Sequence, residues 1–364
     1  MGTKLDILPL KEWFDTDGKP LIISGPCSAE TEEQLLATGR ELAKIPAVNL
    51  IRAGIWKPRT RPDIFEGVGE IGLGWLKKLK YETGLKTCVE VAKPQHVDAC
   101  LKNEVDVLWI GARTTANPFS VQELADSLKG VDIPVMVKNP LHPDLKLWIG
   151  ALERFNQVGI RKLAAIHRGF YTYEKTPFRN LPMWEIPIEL KRIVPNIAVI
   201  TDPSHICGNR KLLQSISQKA MDLAMDGLML ESHINPSVAL TDASQQLEPK
   251  NLQILLDGLV FRQEFGTEEF EDLLEKLRFE VDHIDKELLT ILTRRMHKIE
   301  EIGFYKKENN ITVLQMDRLR QMMISRLKVG KDLGLDNMFV LKLLQLVHKD
   351  SIQTQTKIMM NQKK

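Results

Sequence analysis

Residues 51–61 read Ile-Arg-Ala-Gly-Ile-Trp-Lys-Pro-Arg-Thr-Arg. An apolar run from Val48 to Ile51 predicts a short strand, and the loop that leaves it carries Arg52, Lys57, Arg59 and Arg61. Four cations this close repel one another unless something anionic sits among them. Pro58 restricts the backbone between Lys57 and Arg59, so the loop reads as shaped rather than merely solvated. Arginine offers a rigid fork for phosphate or carboxylate, and lysine a compact point charge. A solvated basic loop would look the same in isolation. The ends of the other strands decide.

The same unit, a short apolar run followed by an amphipathic stretch, repeats from Pro20 to about Arg262. The runs are 21–24, 48–51, 87–89, 107–110, 135–137, 163–166, 198–201 and 228–230. Their length and their Gly, Pro or polar flanks predict buried parallel strands. Helices are predicted over 31–44, 71–82, 95–103, 120–129, 145–157, 211–225 and 248–262. Eight such units over about 240 residues predict an α/β fold, the (β/α)8 TIM barrel, ahead of an open doubly wound sheet.

In a barrel all the strand ends face one mouth, where barrel enzymes build their sites. Here those ends carry Gly25-Pro-Cys-Ser28, Arg52, Glu90, Gly111-Ala-Arg113, Lys138-Asn139, His167-Arg168-Gly169, Asp202-Pro-Ser-His205 and Glu231-Ser-His233, with Asp242 further on. The opposite ends carry mostly Pro, Asn, Thr, Asp and Gly. Arg52, Lys57, Arg59, Arg113, Lys138 and Arg168 exceed what one monoanion needs, implying two phosphorylated substrates or one bearing phosphate and carboxylate. Cys27, His205, Glu231 and Asp242 combine thiolate, imidazole and carboxylates, a set suited to a divalent ion such as Mn, Fe, Co or Zn. Each alone has a plainer reading as a buried thiol, a cap or a salt-bridge partner. They come from strands one, seven and eight, which are neighbours once a barrel closes.

Composition bounds the rest. With 43% hydrophobic and 27% charged residues, the chain can build a large core. A net charge of +2 argues against a broad nucleic-acid surface. No apolar run approaches the roughly 20 residues that span a bilayer, and Met1 to Trp13 lacks a secretion signal. Cys27, Cys88, Cys100 and Cys207 scatter without CxxC spacing, which predicts reduced thiols and a cytoplasmic setting.

After Phe265-Gly266-Thr267 the strand-like runs stop. Helices are predicted over 268–307, 314–334 and 337–362, so the domains read as 1–264, the barrel, and 265–364, an all-α three-helix module. The first helix repeats Leu274, Leu277, Val281, Ile284, Leu288, Ile291 and Ile302 in a heptad-like stripe, which wants a partner chain and predicts a dimer. Arg295 and Lys306, eleven positions apart, return to one helix face. Arg278 lies 17 positions before Arg295 and points about 100° away, so a second chain would have to supply it. Ser351 and Gln355 share a face of the last helix.

The barrel segments resemble the DAHP (3-deoxy-D-arabino-heptulosonate 7-phosphate) synthase family, with Lys57-Pro-Arg-Thr60 specific within that superfamily. The resemblance implies entry to the shikimate pathway by condensing phosphoenolpyruvate (PEP) with erythrose 4-phosphate and releasing phosphate. Arg52, Lys57, Arg113, Lys138 and Arg168 would hold PEP, Arg59 and Thr60 the erythrose phosphate, and Cys27, His205, Glu231 and Asp242 the metal. Lys57 would be the proton donor. Arg61 departs from the small residue usual in the family, and only about 20 residues precede the first strand, which leaves out an N-terminal regulatory domain. The sister family using arabinose 5-phosphate, 3-deoxy-D-manno-octulosonate 8-phosphate synthase, lacks Lys-Pro-Arg-Thr. The helical segment is similar to the all-helical chorismate mutases, which are dimers. That resemblance implies that Arg278 of a partner chain, Arg295 and Arg318 bind the carboxylates of chorismate, on its way to prephenate. Lys306 and Gln355 would hydrogen-bond the breaking ether, with Ser351 beside them. Leu319 stands where many members have Glu. The alternative is a regulatory dimerisation module. Under either reading, chorismate or prephenate would inhibit the barrel, and a tetramer could form from the dimers.

Overall fold

β-Branched and aliphatic residues are buried along both faces of each short run, which is the pattern of a parallel sheet covered by helices. In the computed structural model, which describes residues 5–57, 64–262 and 266–360, eight parallel strands close in the order β1 to β8. The first half runs β1 (Leu21–Gly25), α1 (Glu32–Ala43), β2 (Leu50–Ala53), α2 (Ile71–Thr83), β3 (Lys86–Val91), α3 (Pro94–Lys102), β4 (Val107–Ile110), α4 (Ala112–Thr115) and α5 (Pro118–Ser127). The second half runs β5 (Val135–Lys138), α6 (Leu145–Gln157), β6 (Leu163–His167), α7 (Glu185–Ile193), β7 (Ala198–Thr201), α8 (Pro203–Cys207), α9 (Leu213–Asp222), β8 (Gly227–Glu231) and α10 (Pro249–Asp257). β1 closes on β8 from Leu21 opposite Gly227 to Gly25 opposite Glu231.

Side-chain alternation splits the core in two. Ile22, Ile51, Val89 and Leu108 face the helices, whereas Leu21, Ile23, Leu50, Cys88, Trp109, Met136 and Met229 fill the barrel. Small residues, Ala164 and Ala198, leave room for Trp109. Phe14, ahead of β1, belongs to the interior cluster at 6% exposure, with Trp13 and Leu10 packed beside it. The Lys86 ammonium lies 4.6 Å from the centre of the Phe14 ring.

Two departures from the predicted pattern matter for the site. β2 begins at Leu50 rather than Val48 and runs through Arg52, and β3, β5, β6 and β8 likewise take in Glu90, Lys138, His167 and Glu231. Pairing continues past the apolar runs because these polar side chains sit in a closed mouth where they find partners. Helix α7, absent from the predicted set, forms despite Pro187, because a proline in the first turn gives up no helical hydrogen bond.

Contacts divide the chain into Met1–Glu264 and Phe265–Lys364. The second unit holds α11 (Glu268–Glu308), α12 (Met316–Asp332) and α13 (Asn337–Met360). Thr267 caps α11 by accepting from the Phe270 N–H. A Cβ on Gly303 would lie 2.8 Å from the Ile358 side chain and 3.3 Å from Gln355, so glycine sets how closely α11 meets α13. Of the 41 residues of α11 only Gly303 is buried within the chain. Leu273, Leu277, Val281, Ile284, Leu288 and Ile291 each expose 49–60% of their surface along one stripe. No helix among the described residues is long and apolar enough to cross a membrane.

Because Phe14 is part of the barrel interior, Phe14→Ala is expected to destabilise the barrel by about 3–5 kcal/mol. Urea unfolding would show it as an earlier midpoint for the barrel transition. An unmoved midpoint would mean that the residues ahead of β1 add nothing to the core.

Candidate active sites

The mouth of the barrel collects the donors that leave β1, β7 and β8. Cys27 follows Gly25, whose φ of 148° and close approach to the Arg52 carbonyl leave no space for a Cβ. Cys27 Sγ lies 3.4 Å from Asp242 Oδ2 and 3.2 Å from Lys57 Nζ. One donor atom each from Cys27, Glu231 and Asp242 falls within 4.8 Å of the others. His205 stands beside them on α8, its Nε2 3.8 Å from Glu231 Oε1. Its Nδ1 meets the carboxylate of Asp202 at 2.8–3.0 Å, which makes Nδ1 the protonated nitrogen and leaves the Nε2 lone pair facing the cluster.

Electrostatics hold these groups ready. Burial would raise Asp202, but His205 and Lys138 hold it well below the usual carboxylate range. Burial likewise opposes ionisation of Glu231 and Asp242. His205 and Arg52 keep the first low, and Arg179 and His205 bring the second to about 2. Burial lowers His205, and Asp202 opposes the shift. Burial, then Glu231, pushes the Cys27 thiol up to about 11. Two carboxylates, an imidazole and a thiol, as a donor set, fit a borderline divalent ion. The buried Glu231 Oε1, without a hydrogen bond and in ion-pair reach of Arg52 Nη2 at 3.3 Å, fits it as well.

The cations converge from other strands. Arg52, 1% exposed, pairs with Glu231 at 3.3 Å and lies 5.0 Å from the centre of the Trp109 ring. Its Nε and Nη1 are buried without hydrogen-bond partners. Lys138 pairs with Asp202 at 2.9 Å and also approaches Trp109, at 5.8 Å. Arg168 donates to Asn180 Oδ1 at 2.8 Å. Burial lowers its guanidinium to about 10, Asp202 opposing and Arg179 and Arg113 adding to the shift. Arg113 is exposed at the start of α4. Arg59, Thr60 and Arg61 lie outside the described residues.

Sequence reasoning passed over three residues here. Asp202 sets the tautomer of His205. Gln245 Nε2 donates to Glu231 Oε2 at 2.7 Å, and Arg179 bonds both Asp242 and Gln245. Arg179 is a loop arginine and Gln245 a neutral amide, so neither shows periodicity or charge clustering. The Asp-Pro-Ser-His motif was the available signal for Asp202.

In the helical unit, Arg295 Nη1 donates to Ser351 Oγ at 2.9 Å, joining α11 to α13. Gln355, one turn on, is buried with Oε1 unbonded. Lys306 Nζ donates to the Val313 carbonyl at 2.6 Å. His348, one turn before Ser351, adds a buried Nε2 with no hydrogen-bond partner. Burial lowers its pKa, and Arg295, Arg326 and Lys306 reinforce the shift. A cavity of about 290 Å³ opens between Arg295, Arg326, Leu288 and Val347. Arg318 is exposed on α12 and Leu319 is half-buried. Arg278 pairs with Glu275 at 2.7 Å and sits about 25 Å up the helix from Arg295, at about 1.5 Å per residue. One chain does not bring them together.

Both units match known protein families. The DAHP synthetase I family matches residues 11–260, and chorismate mutase type II matches residues 277–356. The phospho-2-dehydro-3-deoxyheptonate aldolase of Thermotoga maritima is 31% identical over 227 residues, covering 62% of this chain and 65% of that protein, just under two thirds. A 2-dehydro-3-deoxyphosphooctonate aldolase from Synechococcus is 27% identical, over 66% of this chain and 87% of its own. The crystal structure of the Thermotoga maritima DAHP synthase superposes with a TM-score of 0.60 at 26% identity, covering 72% of this chain and 70% of that one. A truncated form of the DAHP synthase from the same organism gives 0.58 at 25% identity, over 72% and 88%. The chain belongs to the DAHP synthetase I family, and its helical unit carries a chorismate mutase type II segment.

Proposed function

We propose that the barrel condenses phosphoenolpyruvate with erythrose 4-phosphate to DAHP and phosphate, and that the helical unit rearranges chorismate to prephenate. One observation carries the first half. Arg52 keeps two buried N–H groups, Nε and Nη1, without hydrogen-bond partners while its Nη2 pairs with Glu231 Oε1 at 3.3 Å, so an anion subsite adjoins the carboxylates of a cation subsite. Arg52, Lys57, Arg113, Lys138 and Arg168 hold the phosphate and carboxylate of PEP, whose charge offsets their mutual repulsion. Arg59 and Thr60 take the erythrose phosphate, on the strength of the motif alone. Cys27, His205, Glu231 and Asp242 would hold a divalent ion (Mn, Fe, Co or Zn), which when bound supplies Lewis acidity to the aldehyde oxygen. PEP C3 bonds to the aldehyde carbon, and Lys57 gives its proton to the oxygen that gains the electron pair. The C2=C3 π electrons make the new bond, and water adds at the electron-poor C2 and passes a proton to the bridging oxygen. Phosphate departs with that oxygen as the C2 carbonyl forms, the cations offsetting the negative charge of phosphate and carboxylate.

In the helical unit Arg295, Arg318 and the partner's Arg278 grip the two carboxylates of chorismate. Lys306 and Gln355 donate hydrogen bonds to the ether oxygen as its bond breaks, with Ser351 orienting Arg295. Confinement of the reactive conformer and charge stabilisation suffice for a pericyclic step. The exposed stripe on α11 supports a homodimer through the helical unit, and dimers could pair further into a tetramer. Four buried free thiols suit a cytoplasmic enzyme. Prephenate or chorismate bound at Arg278, Arg295 and Lys306 inhibits the barrel.

The test of the condensation is phosphate release from PEP by the full-length protein. It is expected with erythrose 4-phosphate and not with arabinose 5-phosphate. The reverse preference would assign the chain to the octulosonate chemistry of its more distant relatives. For regulation, Arg295→Ala is expected to remove both chorismate turnover and the loss of condensation rate caused by prephenate. Retained inhibition would separate the sensing site from the mutase site, and a wild type without chorismate turnover would leave the helical unit as a regulatory dimerisation module only.

A further inference from the structure

We infer that Arg179 is a positioning residue: one guanidinium orients two carboxylates of the ligand set before any ion arrives. The inference rests on the proposed metal role of Cys27, His205, Glu231 and Asp242.

Arg179 leaves the loop between β6 and α7, where its side chain passes so close to Gly208 that a Cβ there would lie 2.6 Å from it. Its Nη1 donates to Asp242 Oδ1 at 2.9 Å and to Gln245 Oε1 at 3.0 Å. With Oδ1 held outward, Asp242 presents Oδ2 to the centre, and Oδ2 is the oxygen 3.4 Å from Cys27 Sγ. The second contact works through Gln245, whose amide has an accepting and a donating end. Because Oε1 accepts from Arg179, Nε2 must face Glu231, and it donates to Oε2 at 2.7 Å. That leaves Glu231 Oε1 turned away from Gln245, buried, 3.3 Å from Arg52 Nη2 and 3.8 Å from His205 Nε2. Each carboxylate thus anchors one oxygen in the frame and turns the other to the centre.

The loop carrying these groups is itself held in an uncommon conformation. Asp242 has a φ of 47°, a left-handed backbone that non-glycine residues adopt when their surroundings over-determine it. The Gln245 N–H donates to the Asp242 carbonyl at 3.1 Å, and the neighbouring Gln246 accepts from the Cys27 N–H at 2.9 Å. Arg179 is 47% exposed, so water screens its charge while leaving its geometry intact.

Charge and geometry predict opposite signs, which makes the inference testable. Removing a cation from beside a metal site favours metal binding by Coulomb's law, whereas removing an outer hydrogen-bond partner of the ligands weakens it about 10- to 100-fold. The experiment titrates metal-free full-length protein with Co²⁺ against a chromophoric chelator, reading the thiolate-to-cobalt charge-transfer absorption. Arg179→Ala and Gln245→Ala should each weaken Co²⁺ binding by about 10- to 100-fold. The double variant should lose much less than the product of the two, because both sit on one chain of bonds. Gln245→Ala keeps the test open if Arg179→Ala does not fold. Unchanged or tighter Co²⁺ binding in the variants overturns the inference. A raised KM for a phosphorylated substrate at unchanged Co²⁺ affinity also overturns it and gives Arg179 to the substrate. A wild type that takes up Co²⁺ without thiolate absorption overturns the metal role of Cys27 itself, and the frame with it.

Discussion

Arg52 and Glu231 meet inside the barrel at 3.3 Å with side chains 1% and 0% exposed. Nearby, Lys138 and Asp202 form a second pair almost as deeply buried. Removing one partner of such a pair leaves an uncompensated charge and costs about 3–5 kcal/mol, so the mouth keeps its shape only while every charge has its counterpart. Trp109 supplies a ring face near both cations. Closure of the sheet makes this possible: Gly25 opposite Glu231 brings the first and last strands together, and with them Cys27 and the carboxylates. What pairing leaves over is directed. The spare N–H groups of Arg52, Nε and Nη1, call for an anion.

Much of the barrel is legible in the sequence because a buried strand has few choices: short, β-branched and flanked by breakers. The predicted strands 107–110 and 198–201 coincide with β4 and β7, and the helix 145–157 with α6. Strand ends are read less well, because an apolar run marks where burial starts and says nothing of how far pairing extends. Arg52 and Glu231 therefore lie within strands rather than beyond them. Types of residue that carry charge or bind metals stand out in a sequence and drew attention to Cys27, His205, Glu231 and Asp242. Their supports did not. Gln245 is neutral and Arg179 sits in an aperiodic loop, so only the folded chain reveals that they hold Asp242 and Glu231.

The helical unit shows the opposite balance. Its helices follow from periodicity, and Arg295, Ser351 and Gln355 come together because α11 and α13 pack closely at Gly303. Yet the chain alone leaves its longest helix with a bare apolar stripe and Arg278 far from Arg295. Both features are what the proposed homodimer accounts for. His348 was invisible to periodicity because it occupies an ordinary inward position of α13, and its unbonded Nε2 becomes evident only among Arg295, Arg326 and Lys306.

The central claim is that the condensation runs at a divalent ion held by Cys27, His205, Glu231 and Asp242. Its most direct test is the rate of PEP loss with erythrose 4-phosphate, measured before and after exhaustive chelation and after Mn²⁺ is restored. The wild-type rate should collapse on chelation and return with Mn²⁺, while Cys27→Ala should stay inactive at the same Mn²⁺ concentration. A rate indifferent both to chelation and to the loss of Cys27 would contradict the claim.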